Sequence, residues 1–123
     1  MTPDTHLQRL FAAIETLDLD TAVSFFSPSA RLYFCNTLIA SGRPAIRRVL
    51  LPLFTCVDGI RHQTIALWSQ GGVSVVEADV EYSSVHGGLA AMPVTSVLHW
   101  SRERIEECRV NTWRGMFPRI HAA

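Results

Sequence analysis

Residues 60–100 read IRHQTIALWSQGGVSVVEADVEYSSVHGGLAAMPVTSVLHW. Three runs rich in β-branched and aromatic residues are separated by two glycine pairs, Gly71-Gly72 and Gly87-Gly88. Such side chains suit a pleated, half-buried surface, and paired glycines suit tight turns. The spacing predicts strands over Ile60–Trp68, Val73–Ser84 and Leu89–Trp100, and a fourth over Arg104–Trp113 after a turn at Ser101–Glu103. Long strands joined in succession by short turns form an antiparallel meander.

Before Gly59 the period is helical. Leu7, Leu10, Phe11, Ile14 and Leu17 make one apolar stripe over His6–Leu17. Asp20 is expected to cap a short second helix that carries Val23, Phe25 and Phe26 and stops at Ser27-Pro28. ARLYFC (30–35) reads as a short strand, with a turn at its end before TLIASG (37–42). Gly42-Arg43-Pro44 opens a third helix with Ile46, Val49, Leu50, Leu53 and Phe54, and Pro52 predicts a kink or an early end. Helices followed by a meander define an α+β fold, with the N-terminal helices covering one face of a curved antiparallel sheet. A bent sheet closed by helices encloses a conical pocket and leaves its outer face for a second copy.

The chain has 123 residues, enough for one domain with a core of its own. We expect a single domain over 1–123, with its core in about 6–113 and a short tail over 114–123. Hydrophobic residues make up 48%, too many for disorder and somewhat many for a small monomer. The formal net charge is zero, which argues against a nucleic-acid partner. All 11 basic residues are Arg, so lysine Schiff-base and P-loop chemistry are excluded. Cys35, Cys56 and Cys108 are odd in number and widely spaced, which fits a reducing, cytoplasmic location rather than a disulfide framework. No apolar run is long enough to span a membrane, and the first 20 residues do not read as a signal peptide. No cysteine pair or HxxxH spacing supports a metal site.

DLDTAVSFFSPSARLYF (18–34), GRPAI (42–46), RHQTIALW (61–68), GGVSVVEADVEY (71–82), HGGLAAMPVTSVLHW (86–100) and RIEECRVNTW (104–113) stand in an order and spacing that resemble the nuclear transport factor 2-like superfamily. The resemblance is to its SnoaL-like branch, with polyketide cyclases, limonene epoxide hydrolase and ketosteroid isomerase as relatives. It implies a cone-shaped, cystatin-like α+β barrel with a deep apolar pocket, frequent homodimers and often no cofactor. Fold alone does not assign a reaction, so the site needs its own argument.

Glu77, Asp79 and Glu81 lie on one face of a strand, and Val76, Ala78, Val80 and Tyr82 on the other. If Glu77 or Asp79 points into an apolar pocket, desolvation raises its pKa and makes it a proton-transfer group. The other reading is a solvated or dimer-facing acidic row, and a one-residue slip exchanges the two faces. In the epoxide hydrolase relative this strand resembles Arg-x-Asp; with Asp79 matched to the Asp, Glu77 stands at the Arg. The relatives' last-strand Asp aligns with Trp113. Both departures argue against epoxide hydrolysis by that mechanism, and the second also against the cyclase mechanism, which uses that Asp as its base. Phe34-Cys35-Asn36 matches the relative's Tyr-x-Asn at Asn36 but lacks the hydroxyl at Phe34. Asn36 is either a ligand-orienting amide or a turn residue. His62 and His99 on predicted strands are candidate acids, bases or donors, or else structural histidines. Arg109, Asn111 and Trp113 share one strand face; Arg109 is an anion anchor or an ion-pair partner of the acidic residues.

The leading expectation is a homodimer, paired through its outer sheet face, whose pocket takes a small apolar molecule. Asp79, Glu77 and His99 would move the proton in a cofactor-free isomerisation, cyclisation or hydration, while Phe34, Asn36, His62, Arg109, Asn111 and Trp113 would contact the ligand. The alternative is a non-catalytic binding or dimerisation module that has lost the last-strand Asp.

Overall fold

The computed structural model describes residues 3–84 and 87–112. Helix α1 spans Pro3–Glu15 and α2 spans Leu19–Ser24. Leu7, Leu10 and Ala13 of α1 are buried, as the helical stripe requires. Leu17 ends α1 at φ 58°, where its N–H donates to the Ile14 carbonyl at 3.0 Å and the Asp18 N–H donates to Ala13 at 2.9 Å. This crossed pair satisfies the last free carbonyls of the helix. Asp18, not Asp20, then caps α2: its carboxylate accepts the Thr21 N–H at 3.2 Å. Asp20 lies one residue inside the helix and meets Arg47 at 3.0 Å instead.

Strand β1 runs over Phe26–Phe34 and β2 over Thr37–Ser41. TLIAS is a further strand, and the turn before it is the two residues Cys35 and Asn36 at φ 48° and 69°. Asn tolerates this left-handed backbone. Helix α3, Arg43–Cys56, continues four residues past Pro52. Pro52 and Arg48 are exposed, so the hydrogen bond that Pro52 withholds from the helix is lost on its solvent side.

The remaining strands are β3 (Val57–Gln70), β4 (Val73–Ser84), β5 (Leu89–Ser101) and β6 (Arg104–Thr112). They form the expected antiparallel meander. The sheet order is β2-β1-β6-β5-β4-β3, with β1 parallel to β6, so the sheet is mixed in direction. It is open, with β2 and β3 at its edges, and the expected barrel does not close. Helix α1 lies against β3 and β4, and α3 against β1, β2 and β3. Among the described residues no helix is long and apolar enough to cross a membrane.

The Gly71-Gly72 turn joins β3 to β4 with both residues at positive φ, 59° and 79°, conformations that cost glycine nothing. Arg102 takes φ 58° in the β5–β6 turn without that freedom. Arg102→Gly is expected to raise stability by about 0.5–1 kcal/mol, the left-handed penalty less the extra unfolded-state entropy of glycine. Urea denaturation of both chains checks this.

Candidate functional site

The β4 pleat decides which side chains face the helices. Val76, Ala78 and Val80 are buried, while Glu77 and Asp79 are exposed on the other face. The apolar set takes the inner face because its burial is favourable there and a carboxylate has no partner to meet. The expectation that Glu77 or Asp79 projects into the pocket is therefore corrected.

Between the inner face and helices α1 and α3 lies a cavity of about 170 Å³. Phe11 and Ile14 of α1, Leu50 and Phe54 of α3, Phe34 of β1 and Met92 of β5 form much of its wall. The polar side chains on the wall are few: Tyr33, His62, Tyr82, Ser96 and Thr112. The Thr112 hydroxyl already donates to the Pro93 carbonyl at 2.6 Å. Cys108 also lines the cavity, but burial pushes its thiol up to about 12, with the Glu107 charge adding to the shift. It is no nucleophile near neutrality.

His62 is the exception on this apolar wall. Its Nδ1 lies 3.0 Å from Oε2 of Glu15, and its backbone N–H donates to the same oxygen at 2.7 Å. A carboxylate only accepts, so Nδ1 carries the proton and Nε2 is left with its lone pair. Phe11 stacks on the ring, with centroids 4.2 Å apart and planes 3° apart. Burial lowers the pKa of His62, and the hydrogen bond and charge of Glu15 oppose that shift in part. Near neutrality the ring is an oriented, uncharged base.

Tyr82 is a diagonal neighbour of His62 on the same face, because Ile60 pairs with Tyr82 and His62 with Val80. Burial pushes its phenol up to about 12, which keeps it protonated as a donor. Its hydroxyl has no hydrogen-bond partner among the described residues.

The cavity brings together Phe34 and His62 from the predicted set. The others lie elsewhere. Asn36 is exposed in the β1–β2 turn, which its tolerance of positive φ explains. His99 is on the outer face, its side chain 47% exposed and 3.8 Å from Glu107. Arg109 is outside too, bonding Glu107 at 2.9 Å and lying 3.9 Å from the Tyr33 ring centroid. Hydrogen bonds from Arg31 and Arg109 hold the Glu107 carboxyl below its ordinary range. Asn111 alternates with Val110 and Thr112, which line the cavity, and so faces outward. These outward positions follow from the pleat, since Cys108, Val110 and Thr112 take the inner face of β6. Trp113 lies outside the described residues.

Two site residues escaped the sequence reading. Tyr82 shares its parity with Val76, Ala78 and Val80, which was the available signal. Glu15 gives none: it meets His62 across 47 positions of chain.

The fold is that of many solved proteins. An NTF2-like protein of unknown function from Burkholderia pseudomallei aligns with a TM-score of 0.81 at 14% identity, over 97% of this chain and 96% of its own. An uncharacterised cystatin-fold protein from Novosphingobium aromaticivorans aligns with a TM-score of 0.78 at 18% identity, over 93% and 99%. A protein with a ketosteroid isomerase-like fold from Catenulispora acidiphila, solved with trimethylamine, aligns with a TM-score of 0.76 at 14% identity, over 89% and 85%. No curated protein sequence matches the chain. The SnoaL-like domain profile matches residues 7–108, most of the described fold. The chain therefore belongs to the SnoaL-like family, a membership that points to small-molecule binding or cyclase-type chemistry.

Proposed function

We propose that the protein binds a small apolar molecule in this cavity and moves a proton on it without a resident cofactor. The observation that carries the reading is the Glu15–His62 pair on an otherwise apolar wall. In this reading Nε2 of His62 takes a proton from a carbon next to a carbonyl. The C–H electron pair passes into the enolate, whose oxygen accepts a hydrogen bond from Tyr82. The imidazolium, steadied by Glu15, returns the proton at the same or another carbon. Isomerisation and aldol-type cyclisation share this step, whereas in a hydration the same base would take its proton from the water that adds to the double bond.

The test is deuterium incorporation, followed by NMR, into a panel of neutral ketones and enones of one to four rings in D2O. Exchange above the buffer rate that disappears in His62→Gln supports proton transfer. Exchange in no panel member, or equal exchange in both proteins, removes it. A non-catalytic binding module is the second reading, favoured by how little of the wall is polar, and the same measurement separates the two.

The proposal includes a homodimer formed through the outer sheet face, from a single domain in the cytoplasm. Cysteine number and spacing support the location. The outer face supports the dimer, because Trp68, Val75 and Val97 lie side by side there and Trp68 is 58% exposed. Arg109 beside this row and the exposed Glu77 and Asp79 nearby offer charge complementarity between two-fold-related copies. Trp68→Glu is expected to convert the dimer to a monomer in sedimentation equilibrium. A wild-type monomer at high micromolar concentration would refute it.

A further inference from the structure

The cavity wall restricts what its occupant can be, and this inference rests on the cavity being the functional site. Among the described residues no Asp, Glu or Arg contributes to the wall. The Glu15 carboxylate behind His62 is already engaged by its Nδ1 and backbone N–H. A carboxylate or phosphate ligand would thus enter an apolar enclosure with no counter-charge, a large desolvation cost. Size is limited as well. The cavity measures about 170 Å³. An apolar cavity of roughly 150 Å³ admits benzene, so the space here matches one ring with a small substituent. The polar groups are placed unevenly: His62 and Tyr82 stand on neighbouring rungs of β3 and β4, while Phe11, Phe54 and Met92 offer only apolar surface.

We propose that the cavity selects an uncharged, single-ring molecule that presents one carbonyl or hydroxyl oxygen to the Tyr82 hydroxyl and turns a neighbouring C–H or O–H toward Nε2 of His62. Charged ligands are rejected because no described residue of the wall neutralises them, and fused multi-ring ligands because they exceed a cavity of about 170 Å³. Specificity here comes from exclusion rather than from added contacts.

Three probes of graded chemistry test this by titration calorimetry at pH 7.5. They are 4-methylacetophenone (one ring, neutral), 4-methylbenzoate (nearly the same shape, anionic) and 9-fluorenone (three rings, neutral). Binding of the first should be at least about 100-fold tighter than that of the second, the effect of one unpaired buried charge. It should also be tighter than binding of the third, although the third is the more apolar. Intermolecular NMR contacts to the Met92 methyl group place the bound probe in the cavity. Comparable binding of 4-methylbenzoate overturns the charge argument. Tighter binding of 9-fluorenone overturns the size argument. Binding of none of the three, or contacts away from Met92, overturns both. The series is repeated in His62→Gln, where the same order is expected. The order then fails or holds independently of proton transfer, whose own failure is read from deuterium exchange.

Discussion

His62→Gln is expected to slow deuterium exchange on a responsive ketone by roughly 10²–10⁴-fold, the usual contribution of a positioned general base. Glutamine keeps much of the volume of the ring against Phe11 but has no basic nitrogen to accept the proton. The fold should survive, since His62 sits at the edge of the core on edge strand β3. Glu15→Gln should cost less, because an amide oxygen can still accept the Nδ1–H. Its diagnostic effect is on pH dependence. Neutral His62 is the active form, so the rate rises with pH through its pKa. Burial puts that acid limb below 6.5, the ordinary histidine value. Glu15 raises the pKa of His62 toward that value, so its removal must move the limb to still lower pH. A limb that stays in place would remove Glu15 from the pair. Tyr82→Phe tests the donor and should lower the rate without moving the limb. Asp79→Asn, on the exposed outer face, should leave both rate and profile as they are. A loss there would restore Asp79 to the mechanism and sink the His62 assignment.

Ile105→Ala is expected to cost about 2–5 kcal/mol of stability, the range for deleting an aliphatic side chain from a packed core. Ile105 is 0% exposed. It pairs with Phe26 in β1 and Trp100 in β5, and its N–H donates to the Phe25 carbonyl at 2.8 Å. The residue therefore sits where α2, the start of β1 and the meander meet. Ile105 is not among the cavity-lining side chains, so the loss is of packing rather than of the site. For a small domain with a total stability of 5–15 kcal/mol such a change is a large fraction of the whole. Urea denaturation should show a lower midpoint with an unchanged slope. A shift under about 1 kcal/mol would show that the neighbouring side chains collapse into the space.

Much of the fold was legible because its signals are local. The glycine pair at 71–72 and the runs on either side of it announce a hairpin, and α1 announces itself by the spacing of Leu7, Leu10 and Ile14. Strand β2 was not legible. TLIAS is too short to show a period, and its turn uses Cys35-Asn36 where glycine would have been plain. The parallel pairing of β1 with β6 has no local signal either, since its partners are about 75 residues apart, as with Leu32 and Cys108. The acidic row at 77–81 was visible, but not the side it faces.

What the sequence determined by itself is the order of elements, the meander and the apolar parity of β4, because each depends on backbone preference and neighbours a few positions away. Tertiary structure decided the site. Packing of the helices against the sheet made Val76, Ala78 and Val80 the inner set and turned Glu77 and Asp79 outward. An irregularity between Thr64 and Ala66 let His62 face the cavity while Trp68, also at an even position, faces out. The docking of α1 on β3 brought Glu15 to His62. The physical reason is that burial and charge pairing act through space: they reward whichever groups the fold brings together, and no local pattern of residues records that meeting.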